Sequence, residues 1–365
     1  MKPAARENRL FETVAATVSS HGMASGETPA LLMVSGGSDS TALAYLAADL
    51  VAAGKLGAVA MLHVNHKIRG EVSEGDAAFV GELAKRLGIP LFLCEVDVPS
   101  LVANTGGNME AIARGERYRA AHDALESMCR HMGFDVEDAC VFSAHTADDR
   151  VENFFMRSIV GTGPGGFRSM DHCSYVAGCR VCRPLLAVGR EALRAYIQNR
   201  DGAVMDETGA LWREDATNED TDRFRSFVRH EIIPIAKQRN PKLLDTLTRT
   251  MDLIAQEDDM LAAKARQLLI EHGTPLGHSL PEGVLFAPEL GDQPKPMIRR
   301  VMYKLLGMML PDEDRVEAAS VEACVGGFGV SGYTANIQGD LAVSYNKQGL
   351  RIEPMAAYRA RRNRA

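Results

Sequence analysis

The stretch Ala30-Leu31-Leu32-Met33-Val34-Ser35-Gly36-Gly37-Ser38-Asp39-Ser40 decides the fold. Its apolar half, Ala30–Val34, reads as a buried strand, and the small-residue turn behind it opens a helix from Thr41 onward. Gly36 and Gly37 let the backbone turn tightly and come close to a ligand. The first amides of the helix point at that ligand, and the helix dipole favours an anion there. Hydroxyls of Ser35, Ser38 and Ser40 add donors suited to phosphate oxygens. No Gly-x-x-x-x-Gly-Lys-Ser/Thr occurs in the chain, so this is a phosphate cradle without the Walker lysine. Asp39 would repel phosphate in such a loop unless a cation intervenes. A Mg²⁺ ion shared between the carboxylate and phosphate oxygens resolves that conflict.

Outward from this loop, strand-like runs alternate with helical patterns. Strands are expected at Ala30–Val34, Ala58–Val64, Leu91–Val96 and Ala139–Ala144, and helices at Thr41–Ala53, Gly75–Leu87, Met109–Cys129 and Ala147–Val160. Short apolar strands separated by helices imply βαβ units and a parallel sheet covered on both faces. Right-handed crossovers make it an α/β doubly wound fold. Ligands of such sheets sit beyond the carboxyl ends of the strands, at the switch point. Polar motifs follow the strand ends here: Ser35–Ser40, Asn65-His66-Lys67, and Ser143-Ala144-His145-Thr146-Ala147-Asp148-Asp149. If the first and fourth strands are neighbours, Asp39 and His145 face one crevice.

Gly161–Gly166 ends the helix carrying Glu152, and Tyr175–Arg183 alternates like an edge strand before Pro184. Farther on, Phe224–Ile235, Leu243–Glu271, Ile298–Leu310 and Val316–Cys324 read as helices, Pro281–Pro296 as a loop and Gly332–Ile352 as a terminal hairpin. The expected division is a mainly parallel nucleotide-binding domain over 1–222, then a smaller, mostly helical domain with some strand over 223–365.

The chain has 365 residues, 46% apolar and 24% charged, an ordinary globular composition with room for two domains. Its apolar runs fall short of the ~18 residues that span a bilayer. Glu7, Asn8 and Glu12 interrupt any secretory apolar core. Seven scattered cysteines do not suggest a disulfide framework. These features point to a cytoplasmic protein without a membrane partner. A net charge of −7 weighs against nucleic acid when taken globally, but its distribution matters more. Arg223, Arg225, Arg229, Lys237 and Arg239 are opposed only by Glu231, and Arg359, Arg361, Arg362 and Arg364 follow the last acid, Glu353. Each cluster reads either as a solvated face or as a contact for an RNA backbone.

Two further clusters can carry chemistry. His145 stands at a strand end, before a helix on which Asp148 or Asp149 shares a face with Glu152; the bland alternative is a capped helix start whose acids complement the dipole. Asn108 can cap the helix bearing Glu110, Arg114, Arg117 and Tyr118. Glu110 and Arg114 either pair with each other, worth ~0.3–0.5 kcal/mol if exposed, or present charge to a ligand.

The loop Ser35–Ser40 resembles the pyrophosphate-binding loop of the N-type ATP pyrophosphatases. Further motifs narrow the resemblance: Asn108/Glu110/Arg114/Arg117/Tyr118, His145/Asp148/Asp149/Glu152, Arg183-Pro184-Leu185-Leu186, Glu214-Asp215-x-x-Asn218, Arg225/Arg229, Pro234 and Asn240-Pro241. In this order they resemble the tRNA(Ile)-lysidine synthetase family, from about Leu31 to Pro241 with a weaker echo in Ile337–Ile352. The resemblance implies an adenine nucleotide alpha hydrolase-like fold and an ATP-dependent ligation on tRNA(Ile) with a CAU anticodon. The cytidine C2 carbonyl oxygen is adenylated with loss of pyrophosphate, and the amine of L-lysine then displaces AMP.

The same resemblance implies a catalytic group of Asp39, Glu110, Arg114, His145, Asp149 and Glu152. It implies ATP binding by Ser35, Gly36, Gly37, Ser38, Asp39 and Ser40, tRNA binding by Arg117, Arg225 and Arg229, and Mg²⁺ on Asp39. A homodimer is among the assemblies it allows. Three departures stand out. Thr146 replaces the family's second histidine. Val160-Gly161 replaces an Arg-Gly pair, which points to Arg157 or Arg168 as the substitute cation. The C-terminal part is shorter than in the longer members, which implies a reduced or missing tRNA-binding subdomain.

Two rivals remain open. A tRNA thiolase on the same scaffold would activate the base identically and deliver sulfur, and Cys179-Arg180-Val181-Cys182 is a C-x-x-C. Cluster-bearing thiolases place theirs near the region occupied here by Asn108–Arg117, which has no cysteine, so Cys179 and Cys182 read as strand residues. A nucleotide-dependent RNA-binding module without catalysis is the other rival.

Overall fold

Alternation along the first strand builds both layers of the larger unit. In the computed structural model, which describes residues 3–68, 70–214, 224–311 and 315–363, β1 (Ala30–Met33) sends Ala30 and Leu32 to one face and Leu31 to the other. The first face packs on α1 (Pro3–Ser20), α2 (Ser38–Ala52), α3 (Glu71–Leu87) and α7 (Arg190–Gln198) through Val14, Leu43, Leu46, Val80 and Ile197. The second packs on α5 (Met109–Met132) through Tyr118, Ala121, Leu125 and Met128. A strand buried on both faces must be apolar throughout, which is why Ala30–Val34 reads as one unbroken run.

The sheet order is β3-β2-β1-β4-β6-β5, with β2 (Val59–Asn65), β3 (Leu91–Glu95), β4 (Cys140–Phe142), β5 (Cys173–Val176) and β6 (Cys179–Cys182). All neighbours are parallel except β5 and β6. Leu32 lies beside Met61 on one side and Phe142 on the other. The order in which strands are added reverses between the parallel neighbours β1 and β4, so the crevice opens where α2 and α6 (Ala147–Val160) begin. The expected edge strand at Tyr175–Arg183 is instead a hairpin. Ala177 and Gly178, both at positive φ, turn β5 back onto β6. α4 (Val98–Thr105), α1 and α7 are additional helices that the strand-centred reading did not anticipate.

The chain divides into two compact units, Met1–Asp252 and Leu253–Ala365, rather than at the 222/223 boundary read from composition. Residues after 223 stay with the first unit because α8 (Phe224–Phe227), the π-turn Val228–Ile232, α9 (Ile233–Arg239) and the start of α10 (Leu243–His272) bury Val228, Ile233, Leu243 and Met251 against Val151 of α6. Pro234 explains the π-turn. It has no N–H for the carbonyl four residues back, and the ladder shifts so that Ile233 N donates to Val228 O.

The second unit has an antiparallel sheet in the order β7-β8-β11-β10-β9. Its strands are β7 (Gly273–Pro275), β8 (Val284–Phe286), β9 (Thr334–Ile337), β10 (Leu341–Asn346) and β11 (Gly349–Pro354), accompanied by α11 (Lys295–Met309), α12 (Ala318–Gly327) and α13 (Met355–Arg362). The expected hairpin is therefore part of a larger sheet. β8 falls inside the segment read as a loop, because a strand of three residues carries no period to detect. Among the described residues no helix is long and apolar enough to cross a membrane.

Candidate active site

The loop after β1 is shaped by its own serines. Ser35 N donates to Ser40 Oγ at 3.2 Å, the two hydroxyls lie 3.1 Å apart, and Ser40 Oγ donates to Gly37 O at 3.0 Å. Gly36 sits at φ +93, where a Cβ would press within 3.3 Å of Arg213 Cγ. Gly37 precedes α2 without any side-chain cap, so the first amides of the helix remain available to an anion. Arg213 braces the loop from behind. Its N donates to Gly36 O at 2.9 Å, and its guanidinium binds Asp76 at 3.1 Å, Asp206 at 3.0 Å and Glu207 at 2.7 Å. Arg194 Nε reaches Ser38 Oγ at 3.4 Å.

Across the switch point, Thr146 caps α6 and orients Asp149. Its amide and hydroxyl donate to Asp149 Oδ2 at 2.7 and 2.9 Å, while Asp149 N donates back to Thr146 Oγ1 at 3.4 Å. A residue that departs from the family pattern is thus the helix cap. One turn on, Glu152 is 1% exposed. Arg229 clamps it with two bonds, Nε to Oε1 at 2.7 Å and Nη2 to Oε2 at 3.0 Å. Arg225 spans both acids, Nε to Glu152 Oε2 and Nη2 to Asp149 Oδ1, each at 2.8 Å. These two arginines are four residues apart and flank the start of the π-turn, so they face α6 together.

Arg190, at the start of α7, joins the two halves. Its Nε donates to Asp39 Oδ2 at 2.9 Å, its Nη2 lies 3.3 Å from Asp149 Oδ1 and its Nη1 3.6 Å from Glu152 Oε1. Its amide donates to Asp148 Oδ2 at 2.7 Å, and Lys237 lies 3.5 Å from the other oxygen of Asp148. Burial raises the pKa of Asp39, and the nearby Asp149 charge adds to this, against the opposing pull of Arg190. Burial pushes Asp149 the same way, but Arg225 and Arg190 overcome it and hold the carboxyl below its usual range. His145 bonds Ser143 Oγ through Nδ1 at 2.7 Å, and burial among Arg183, Arg225 and Arg114 lowers its pKa to about 4, so the ring is neutral at pH 7.

Asp39, His145, Asp149 and Glu152 therefore meet at the strand ends, and Arg225 and Arg229, expected as contacts for tRNA, are instead bonded to Asp149 and Glu152 in the same cluster. The third group behaves differently. Asn108 caps α5 by accepting from Ala111 N at 3.0 Å. Among the described residues Glu110 and Arg114 form no ion pair; Arg114 lies over the Tyr118 ring at 5.1 Å. Arg117 of α5 is exposed, its Nη2 3.4 Å from Nε2 of His66, the residue after β2. Glu110 is exposed and touches none of the cluster. Arg157 bonds Asn153 on its own helix and Arg168 pairs with Asp171, whereas the cations on the α6 carboxylates are Arg190, Arg225 and Arg229. Glu214 is exposed. Asp215 and Asn218 of its motif, the acids at 219, 220 and 222, Arg223 and Arg364 lie outside the described residues.

Cys179 and Cys182 face opposite sides of the sheet. Cys179 packs with the α5 layer and Cys182 with the α2 layer, 3.2 Å from Cys173 across the hairpin. One cluster cannot take both as ligands. Asp39 is the residue of the loop that would hold a Mg²⁺ ion, since a carboxylate oxygen is the hard donor that ion takes; its Oδ2 is bonded to Arg190.

Residues 8–236 match the PP-loop domain family. Among curated proteins, tRNA(Ile)-lysidine synthase of Thermus thermophilus is 34% identical over 284 residues, 76% of this chain and 48% of that protein. The enzyme of the same name from Dehalococcoides mccartyi is 31% identical over 316 residues, 84% and 63% of the two chains. The chain thus spans about half to under two thirds of the length of these relatives. Among solved structures, the U34-tRNA thiolase NcsA of Methanococcus maripaludis, with its 4Fe–4S cluster, aligns over 69% of this chain and 80% of that one with a TM-score of 0.49 at 15% identity.

Proposed function

The chain belongs to the PP-loop domain family, and on that premise we propose that it is an ATP-dependent ligase joining L-lysine to C2 of the wobble cytidine of tRNA(Ile) with a CAU anticodon. One observation carries this reading: a single guanidinium, that of Arg190, touches both Asp39 of the phosphate loop and the α6 carboxylates Asp149 and Glu152. A phosphate cradle and a site suited to an ammonium are thereby adjacent.

In the first step the cytidine O2 bonds to the α-phosphorus of ATP, and the bond to the β-phosphate oxygen breaks. Pyrophosphate leaves into the uncapped start of α2, among Ser35, Gly36, Gly37, Ser38 and Ser40. Mg²⁺ on Asp39 would neutralise charge between the phosphates. In the second step the lysine nitrogen bonds to C2, and the C2–O bond to AMP breaks. Asp149, held ionised by Arg225 and Arg190, and Glu152 bind the incoming ammonium, and one of these carboxylates takes its first proton, which gives the nitrogen the lone pair that attacks C2. Once nitrogen has bonded to the ring its proton is acidic, and the neutral His145 imidazole is a sufficient acceptor. Arg114 steadies phosphate charge. Arg117 at the rim, and Arg359 and Arg362 of α13, offer cations to the tRNA backbone. Glu110, apart from the cluster, takes no part in this reading, and a homodimer is compatible with all of these roles.

The thiolase reading loses its support, because Cys179 and Cys182 cannot ligate one cluster. The test is mass spectrometry of nucleosides from tRNA(Ile) incubated with the protein, ATP and a mixture of amino acids containing isotopically labelled lysine. A labelled cytidine is the expected product. Sulfur in the base, or an unchanged nucleoside, would overturn the proposal.

A further inference from the structure

We infer that Arg190 is a resident counter-ion whose displacement couples the two cationic ligands of the site, so that a metal–nucleotide arriving at Asp39 frees Asp149 and Glu152 for an ammonium. The lysine half of this inference rests on the function proposed above; the metal half does not.

Among the described residues, Arg190 is the one cation in contact with Asp39. Asp149 and Glu152 are held independently by Arg225, Arg229 and the Thr146 cap, so they keep their places when Arg190 leaves. Asp39 has no such second support: its remaining bond is from the neutral Ser38 hydroxyl at 3.2 Å. A divalent ion drawn to Asp39 by phosphate oxygens therefore competes with one guanidinium. That guanidinium cannot leave Asp39 without withdrawing its other two nitrogens from Asp149 and Glu152, because the fork is rigid and planar. Displacement is shared, and two ligands that each gain from the same displacement bind with positive cooperativity. The anchor at the far end stays fixed, since Arg190 N is tied to Asp148. The side chain swings while α7 does not move.

The test is isothermal titration of L-lysine into the full chain, with and without Mg²⁺ and a nucleotide whose α,β bridge is a methylene. In the wild type the nucleotide should tighten lysine binding about fivefold or more. In Arg190→Gln lysine should bind as tightly without nucleotide as with it. Arg190→Lys, which keeps the charge but reaches one carboxylate, should fall between and serves where the glutamine variant does not fold. An undiminished nucleotide effect in both variants would overturn the inference. A second arm uses Mn²⁺ alone, followed by its paramagnetic resonance. Arg190→Gln should bind it about fivefold or more tightly than the wild type, and equal affinities would overturn the inference. If lysine binds no form of the protein, the proposed substrate is wrong, and the Mn²⁺ arm still decides the role of Arg190.

Discussion

Asp39 is pulled in two directions, toward neutrality by burial and toward charge by Arg190. A carboxyl in that balance contributes little net stability, so Asp39→Asn should leave thermal unfolding nearly unchanged. Pyrophosphate release should fall by about 10²–10³-fold, the usual cost of losing one charge-stabilising group. Normal turnover in a stable Asp39→Asn protein would remove this residue from the chemistry. Asp39, His145 and Asp149 are legible in sequence because each follows a strand end by at most seven residues, where α/β sheets collect their ligands, and Glu152 because it shares a helix face with Asp149. Arg190 and Arg213 are not legible. Arg190 meets Asp39 across 151 positions, and locally it is an ordinary first-turn residue. Arg213 sits in an irregular segment whose partners Asp76 and Gly36 belong to other elements. Long-range ion pairs leave no local period.

At the scale of elements, the helical stretch from 224 to 239 is the support for α6. Its two arginines hold a glutamate with almost no access to water. Arg229→Ala removes two of the bonds to Glu152 and should cost about 1–3 kcal/mol in urea unfolding. Adding Glu152→Gln should restore part of that loss, because the residual charge is what burial penalises. A double variant no more stable than Arg229→Ala alone would show that packing, not charge, sets the cost. β1 to β4 are legible to within about two residues, the ordinary uncertainty of element ends. The hairpin of β5 and β6 is less so, since a two-residue turn at Ala177-Gly178 hardly interrupts the alternation. The π-turn follows from Pro234, yet proline inside a helix predicts a break as readily as a bulge.

Over the whole molecule, three histidines store an acid sensitivity. His66, His145 and His172 all have their pKa lowered by burial to about 4 in the folded chain, against 6.5 unfolded. Between those values the unfolded chain takes up protons that the folded one refuses. Stability is therefore complete above pH 6.5 and falls toward pH 4, by at most about 1.4 kcal/mol per pH unit for each group. Trp212, the single tryptophan, lies in the first unit 5.5 Å from the Arg194 guanidinium and reports that unit's unfolding by fluorescence. A midpoint flat between pH 6.5 and 4.5 would contradict the prediction. The doubly wound sheet is the most legible feature at this scale. The later division at Asp252/Leu253 is less so, because it falls inside the single helix α10, where no change of pattern marks it. The order of synthesis adds a final consequence. Asp39, Asp149 and Glu152 leave the ribosome before Arg190, and Arg229 follows Glu152 by 77 positions. A nascent chain that has paired its first four strands still has an acidic, unneutralised mouth. The crevice thus matures after the sheet that carries it, and a translational pause before Arg225 would strand the protein with its sheet built and Glu152 without Arg225 and Arg229.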